Sequence, residues 1–180
     1  LDIVGFHNIY VNPDYPNDDS TGTVLRPFKT IFDAVNASSN NDNIFIKGEN
    51  IISSEITLPH SLRFYGIDGS KIGFASYSQT NGNIFTFEGV SGSQTTFVFN
   101  NIEFRFAGKY ALKLNLCQSV DIIDCTFLFN GWNGLGVDMI SAESLPTYGY
   151  DSSKANLEAN KNTNMSVGGA IELGNLNYVQ

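Results

Sequence analysis

Phe97–Phe104, FVFNNIEF, and Val120–Phe127, VDIIDCTF, align residue for residue at an offset of 23. Apolar residues occupy the first, third, sixth and eighth positions of both: Phe97, Phe99, Ile102 and Phe104, then Val120, Ile122, Cys125 and Phe127. Asn101 matches Asp124 at the bend between. The first half alternates with the period of two that puts every other side chain on one face of a strand. Beyond the bend the alternation restarts one residue out of phase. A chain that returns to one pattern after 23 residues, through a corner, coils rather than meanders. The period predicts an all-β protein built as a parallel β-helix, with Phe99 over Ile122 and Asn101 over Asp124 on successive turns.

A second register supports the first. Ala111, Leu112, Lys113, Leu114 and Val120 match Ala170, Ile171, Glu172, Leu173 and Val179 at an offset of 59. Alternation stops between Asn130 and Gly168, so this spacing reads as one repeat plus a long excursion, with the next repeat resuming in phase. Lys113 is then expected opposite Glu172. The sequence stops at Gln180 as another strand begins, and a stack of strands with an uncovered core face needs a cap. The expectation is a C-terminal end left open, in the N-terminal part of a longer protein.

Composition narrows the function. Fourteen Phe and eight Tyr are rich in the residues that fill sheet interiors, while only 16% of the residues are charged. A formal charge of −8 and a pI near 4.5 argue against nucleic acid, which demands clustered Lys and Arg. No apolar run approaches the length of a membrane span, so membrane insertion is not expected.

Residues 1–41 read as an N-terminal region. Ile9-Tyr10-Val11 is a strand and Asn12–Gly22 a turn-rich stretch. Pro27 then precedes Phe28, Ile31, Phe32 and Val35, spaced as one face of a short helix with Pro at its first position. Ser38–Asn41 ends that helix, which is placed to cap the first repeat. Residues 42–180 read as the stacked repeats. Ile44-Phe45-Ile46, Ile56-Thr57-Leu58, Leu62-Arg63-Phe64 and Ile84–Phe87 are strands, with corners at Gly48 and Gly66–Gly69. Cys125 takes the inward position of Ile102, so a small buried thiol is expected there. Cys117 lies near the turn before Val120.

The stretch IYVNPDYPNDDSTGTVLRPFKTIFDAVN, Ile9–Asn36, resembles the opening of right-handed parallel β-helix proteins of the pectate-lyase-like superfamily. The matching residues are Tyr10-Val11, Asn17-Asp18-Asp19-Ser20, Gly22 and Pro27-Phe28-Lys29-Thr30-Ile31. Asp42–Ile72 looks like the next turns of such a helix. The resemblance covers roughly residues 9–129 and 168–180, and is more specific for fold than for activity. Members include polysaccharide lyases and hydrolases, surface adhesins, and bacteriophage tailspikes and fibres. It implies a right-handed β-helix, most like a tailspike, tail fibre or other virion component.

The residues offer little chemistry to set beside that. A hydrolytic pair needs two carboxylates at a set separation, yet no acids stack across the register. Asp121 aligns with Val98, Glu103 with Thr126, Asp124 with Asn101 and Glu172 with Lys113. Asp121 and Asp124 flank a corner, where a solvated strand residue and an Asn/Asp ladder explain them better than catalysis. Arg63, Arg105, Lys109 and Lys113 stand isolated in the alignment, and His60, after Pro59, reads as a surface residue. Turn formation accounts for Asp14, Asp18 and Asp19 better than Ca²⁺ binding does. No catalytic residue, metal ligand or cofactor is assigned, and enzymatic activity is not expected of this segment.

The excursion, about residues 130–168, gathers Trp132, Tyr148 and Tyr150 in glycine-rich surroundings. Long loops on rigid scaffolds are where binding resides, and exposed aromatics stack on sugar rings or anchor protein contacts. Packing of these aromatics onto their own repeats stays open as the alternative. What the resemblance implies, taken with this loop, is a virion structural or host-attachment protein, homotrimeric, in contact with other virion proteins and with host-surface polysaccharide. A polysaccharide lyase or glycoside hydrolase with its catalytic turns beyond Gln180 is one alternative. An extracellular or cell-surface bacterial adhesin is the other.

Overall fold

The computed structural model describes residues 6–78, 80–131, 171–174 and 178–179. Among them are twelve strands and a single seven-residue helix, so the protein is all-β. In chain order the elements are β1 (Asn8–Val11), α1 (Ile31–Ala37), β2 (Asp42–Ile51), β3 (Ile56–Thr57), β4 (Leu62–Gly73), β5 (Phe85–Glu88), β6 (Thr96–Asn100), β7 (Glu103–Arg105), β8 (Leu112–Asn115), β9 (Ser119–Ile123), β10 (Thr126–Leu128), β11 (Ile171–Gly174) and β12 (Tyr178–Val179).

Every pairing between these strands is parallel. The larger sheet runs β1-β2-β4-β6-β9-β12, with β7 branching from β4 and β10 from β7; the smaller runs β11-β8-β5-β3. Each strand of the smaller sheet falls in sequence between strands of the larger one, so the chain leaves the larger sheet and returns beside an earlier strand of it. β2 and β4 each turn a corner within one strand. Leu62–Tyr65 pairs with β6, whereas Lys71–Gly73 pairs with β7.

The offset of 23 is the pairing register. Phe99 partners Ile122, and Phe104 partners Phe127. At the corner between, Asn101 and Asp124 both take left-handed backbone (φ 56° and 51°), and the Asn101 amide donates to the Ile123 carbonyl at 2.9 Å. Asn and Asp tolerate that conformation better than other non-glycine residues, which is why the polar pair stacks there. The offset of 59 holds as well: Ile171–Gly174 pairs with Leu112–Asn115, Glu172 lies opposite Lys113, and Val179 partners Val120. Among the described residues no strand intervenes between the members of these pairs.

Inward side chains stack from strand to strand. Ile9, Ile44, Phe64, Phe99 and Ile122 form one column of the larger sheet, and Ile56, Phe85 and Leu112 one of the smaller. The rings of Phe64 and Phe99 lie parallel with centroids 5.3 Å apart, near the interstrand spacing. Phe85 packs on Phe64 at 4.9 Å from the opposite sheet, and Phe104 closes the section edge-on to Phe99. Phe64, Phe85, Phe97, Phe99 and Phe104 are all at most 1% exposed. Five buried Phe of about 1.5–3 kcal/mol each are a large share of what holds so small a section together.

The helix departs from expectation. It begins at Ile31 rather than Pro27, because Thr30 is the N-cap: its hydroxyl accepts from the Asp33 amide (3.1 Å) and donates to the Asp33 carboxylate (2.6 Å). That Thr-x-x-Asp arrangement has the spacing of a capping box, with the return bond made to the Thr30 hydroxyl rather than to its backbone N–H. Phe28 instead lies alongside Val11, exchanging backbone hydrogen bonds with Tyr10 and Asn12 at 2.8 Å. The buried helix face is therefore Ile31, Ala34 and Val35, and Phe32 points outward. The outer edge of β1 is covered in part by the Gly22–Phe28 stretch, since Tyr10 N–H also donates to the Gly22 carbonyl.

Two smaller expectations also change. Cys125 is only half-buried, whereas Cys117 is 2% exposed and burial pushes its thiol up to about 11. His60 is half-buried against the helix end, not at the surface.

Corner glycines give the packing a direct test. A Cβ at Gly66 would overlap the Asn101 carbonyl oxygen at the corner of the next repeat, whereas a Cβ at Gly69 meets nothing within 4 Å. Gly66→Ala should lower the unfolding free energy by about 3 kcal/mol. Gly69→Ala should lower it by only about 1–2 kcal/mol, the cost of its left-handed φ of 73°. Urea denaturation of the two variants decides; equal losses would contradict the stacking at this corner.

Candidate functional site

Trp132, Tyr148 and Tyr150, the aromatics expected to bind, lie outside the described residues, as does nearly all of the 130–168 excursion. What the structure places is the surface of the repeats, where three groupings stand out.

The first is a charged lattice. Glu49, Lys71 and Glu103 are register partners on β2, β4 and β7, pointing outward on the same face. Arg105 reaches across them, pairing with Glu49 and standing 3.7 Å from Glu103. Gly73 is its register partner, where a Cβ would overlap the Arg105 carbonyl oxygen and stand 3.0 Å from its Cγ, so glycine lets the two strands and the stem approach. The guanidinium also sits 5.2 Å from the Phe106 ring, which stacks on Phe129. Arg105 is thus not isolated, as the alignment had it. Glu103 is two residues away on β7 itself, whereas Glu49 comes from β2 at an offset other than 23, so aligning two repeats could not show that pair. Two carboxylates sharing one guanidinium form an ion-pair network, and the arrangement ties β7 to β2 across the intervening β4.

The second grouping surrounds Asp42, which is 3% exposed. One carboxylate oxygen accepts from the His7 amide (2.9 Å) and the other from the Ser39 amide (2.8 Å). The His7 ring nitrogen is 3.5 Å away. His60 Nε2 lies 3.1 Å from the Ser38 hydroxyl, which itself donates to the Val35 carbonyl at 2.6 Å. Both histidines of the chain therefore gather where the arm, the helix end and the start of β2 meet. Burial, opposed by the Asp42 charge and a hydrogen bond to Ser39, holds the His60 ring below its usual range. Although Ser, His and Asp converge here, the Ser38 hydroxyl is committed to a helix-end carbonyl, so the cluster works as a latch.

The third is a row of outward aromatics on the larger sheet. Tyr10 stacks on Phe45 at 5.2 Å and Phe45 on Tyr65 at 5.3 Å. Their faces are turned to one another, so the row presents ring edges to an approaching molecule and mainly stabilises strand pairing. Beside it, Arg63 lies 4.3 Å over Phe6 and donates to the Asn41 carbonyl.

The remaining acids behave as turn builders. Asp18 binds Lys29 at 2.6 Å, and that hydrogen bond and charge hold its carboxyl below the usual carboxylate range. Asp19 accepts from the Tyr15 hydroxyl at 2.7 Å. Asp121 lies outward on β9 opposite Val98, and Asp124 at the corner beyond. Among the described residues no three His, Cys, Asp or Glu gather as a metal site, and no described helix is long and apolar enough to cross a membrane. No protein-family model, curated protein sequence or solved structure matches this chain.

Two outcomes test these assignments. Arg105→Met keeps the stem over Gly73 but removes the charge, and should cost about 1 kcal/mol in low salt. The loss should shrink at high ionic strength, where surface charges are screened; a salt-independent loss in urea titrations would contradict the lattice. For His60, the ring titrates near 6.5 when unfolded and lower when folded. Its contribution is therefore complete above 6.5 and is lost as the pH falls through 6.5 and past the folded value. Between about pH 8 and about pH 5, wild type should lose more melting temperature than His60→Gln. Equal losses would remove His60 from the account.

Proposed function

We propose that the chain is a right-handed parallel β-helix that serves as a structural and host-attachment component of a virus particle, as in a phage tail fibre or tailspike. The observation that carries this reading is the pairing of Ile171–Gly174 with Leu112–Asn115. Repeats that resume in phase after an excursion make a stiff shaft from which a long segment is displayed. The resemblance of Ile9–Asn36 to the openings of such β-helices supports the same class. In this reading Trp132, Tyr148 and Tyr150 contact a neighbouring subunit of a homotrimer, with host-surface polysaccharide as the second contact. Other virion proteins hold the shaft in place. A buried aromatic anchor at a subunit interface needs no chemistry beyond packing.

The test joins Asn130 directly to Gly168. The shortened protein should keep its β-rich far-UV spectrum and cooperative melt, since the register is independent of the excursion. The intact chain should sediment as a trimer and the shortened one as a monomer. Identical sedimentation together with identical retention on host-surface polysaccharide would overturn the assignment.

A further inference from the structure

We propose that the cleft between α1 and the turn after β2 binds the pyranose ring of a neutral saccharide. The inference stands apart from the virion reading, because it rests on described residues, none of which belongs to the excursion.

The cleft has a volume of about 420 Å³, within the range of small-molecule sites. Its lining divides by chemistry. Phe32 and Ile51 stand on it, 56% and 59% exposed, although neither is used by the core. One aromatic and one aliphatic wall suit the C–H face of a sugar ring, which is apolar while its rim is not. The polar side of the lining is made of short groups with hydrogen-bonding capacity to give. The Ser53 and Ser54 hydroxyls have no partner among the described residues. Asp33 engages Thr30 through Oδ2 only, which leaves Oδ1 for a donor.

Asn50 is the one buried polar side chain in the lining, at 4% exposure. Its amide nitrogen donates to the Lys47 and Gly48 carbonyls at 3.0 and 3.2 Å, but Oδ1 accepts from nothing. A buried, unpaired acceptor beside a cleft is a standing cost. A ligand hydroxyl relieves it, directly after a small turn of the amide or through a held water. Charge selects neutrality. The cation in the lining, Lys29, is engaged by Asp18, and Asp33 brings a carboxylate into the cleft. An acidic sugar or a phosphate would therefore meet like charge.

Saturation-transfer NMR on the intact protein with D-glucose, D-galactose and N-acetyl-D-glucosamine, each at ~10 mM, tests this. Transfer to the ring C–H protons of at least one sugar is expected, with D-galacturonic acid weaker than D-galactose. Phe32 is exposed on the helix, so Phe32→Ala should melt like wild type while binding at least tenfold more weakly. Trp132→Ala should leave the signal unchanged. Absence of transfer from all three sugars would overturn the proposal. So would transfer that survives Phe32→Ala, stronger binding of the acid, or a signal lost with Trp132.

Discussion

Parallel register is the constraint on which the rest of this structure depends. A strand paired in parallel with its counterpart one repeat away cannot slip by a single residue without turning every core side chain outward. Each repeat must therefore bend where its predecessor bent. The stacked left-handed residues Asn101 and Asp124 keep the corners in line, and Phe106 and Phe129 do the same one corner on, with φ of 65° and 53°. Gly66 lets the Asn101 carbonyl approach so closely that no side chain fits between them. Given aligned corners, Phe64 falls over Phe99 and the core fills itself with rings.

Insertions are tolerated only between paired strands and only if the chain comes back in phase. Ile171–Gly174 satisfies that condition by meeting Leu112–Asn115. The two strands with internal corners show the same tolerance on a smaller scale. β2 carries a register shift between Lys47 and Glu49 and still lays Glu49 beside Lys71. The Ser70 hydroxyl accepts from the Ile67 amide and shares its single hydrogen between the Ile46 and Ile67 carbonyls, so it serves backbone groups at the irregularity.

The repeats were legible because their signal is local and periodic. FVFNNIEF and VDIIDCTF carry strand, corner and strand in eight residues each, and the match alone predicts the pairing of Phe99 with Ile122. The helix start was legible too, in Thr30 and Asp33, but Pro27 is the louder signal and points to the wrong residue. Contacts between repeats of unequal length were not legible. Arg105 meets Glu49 across two strand spacings, and nothing in the spacing of those residues announces it. Nor could the cleft be read, since Phe32 and Ile51 look like core residues until the helix and the corner are placed. The excursion aromatics were the reverse case, conspicuous in composition and placed by no described strand.

The most direct measurement is the pattern of cross-strand NMR contacts between backbone protons of residues 112–115 and 171–174 in the intact protein. The account predicts parallel contacts that advance together along both strands, with Lys113 beside Glu172 and Leu114 beside Leu173. Contacts that run in opposite directions, or a different strand found beside Leu112–Asn115, would contradict it.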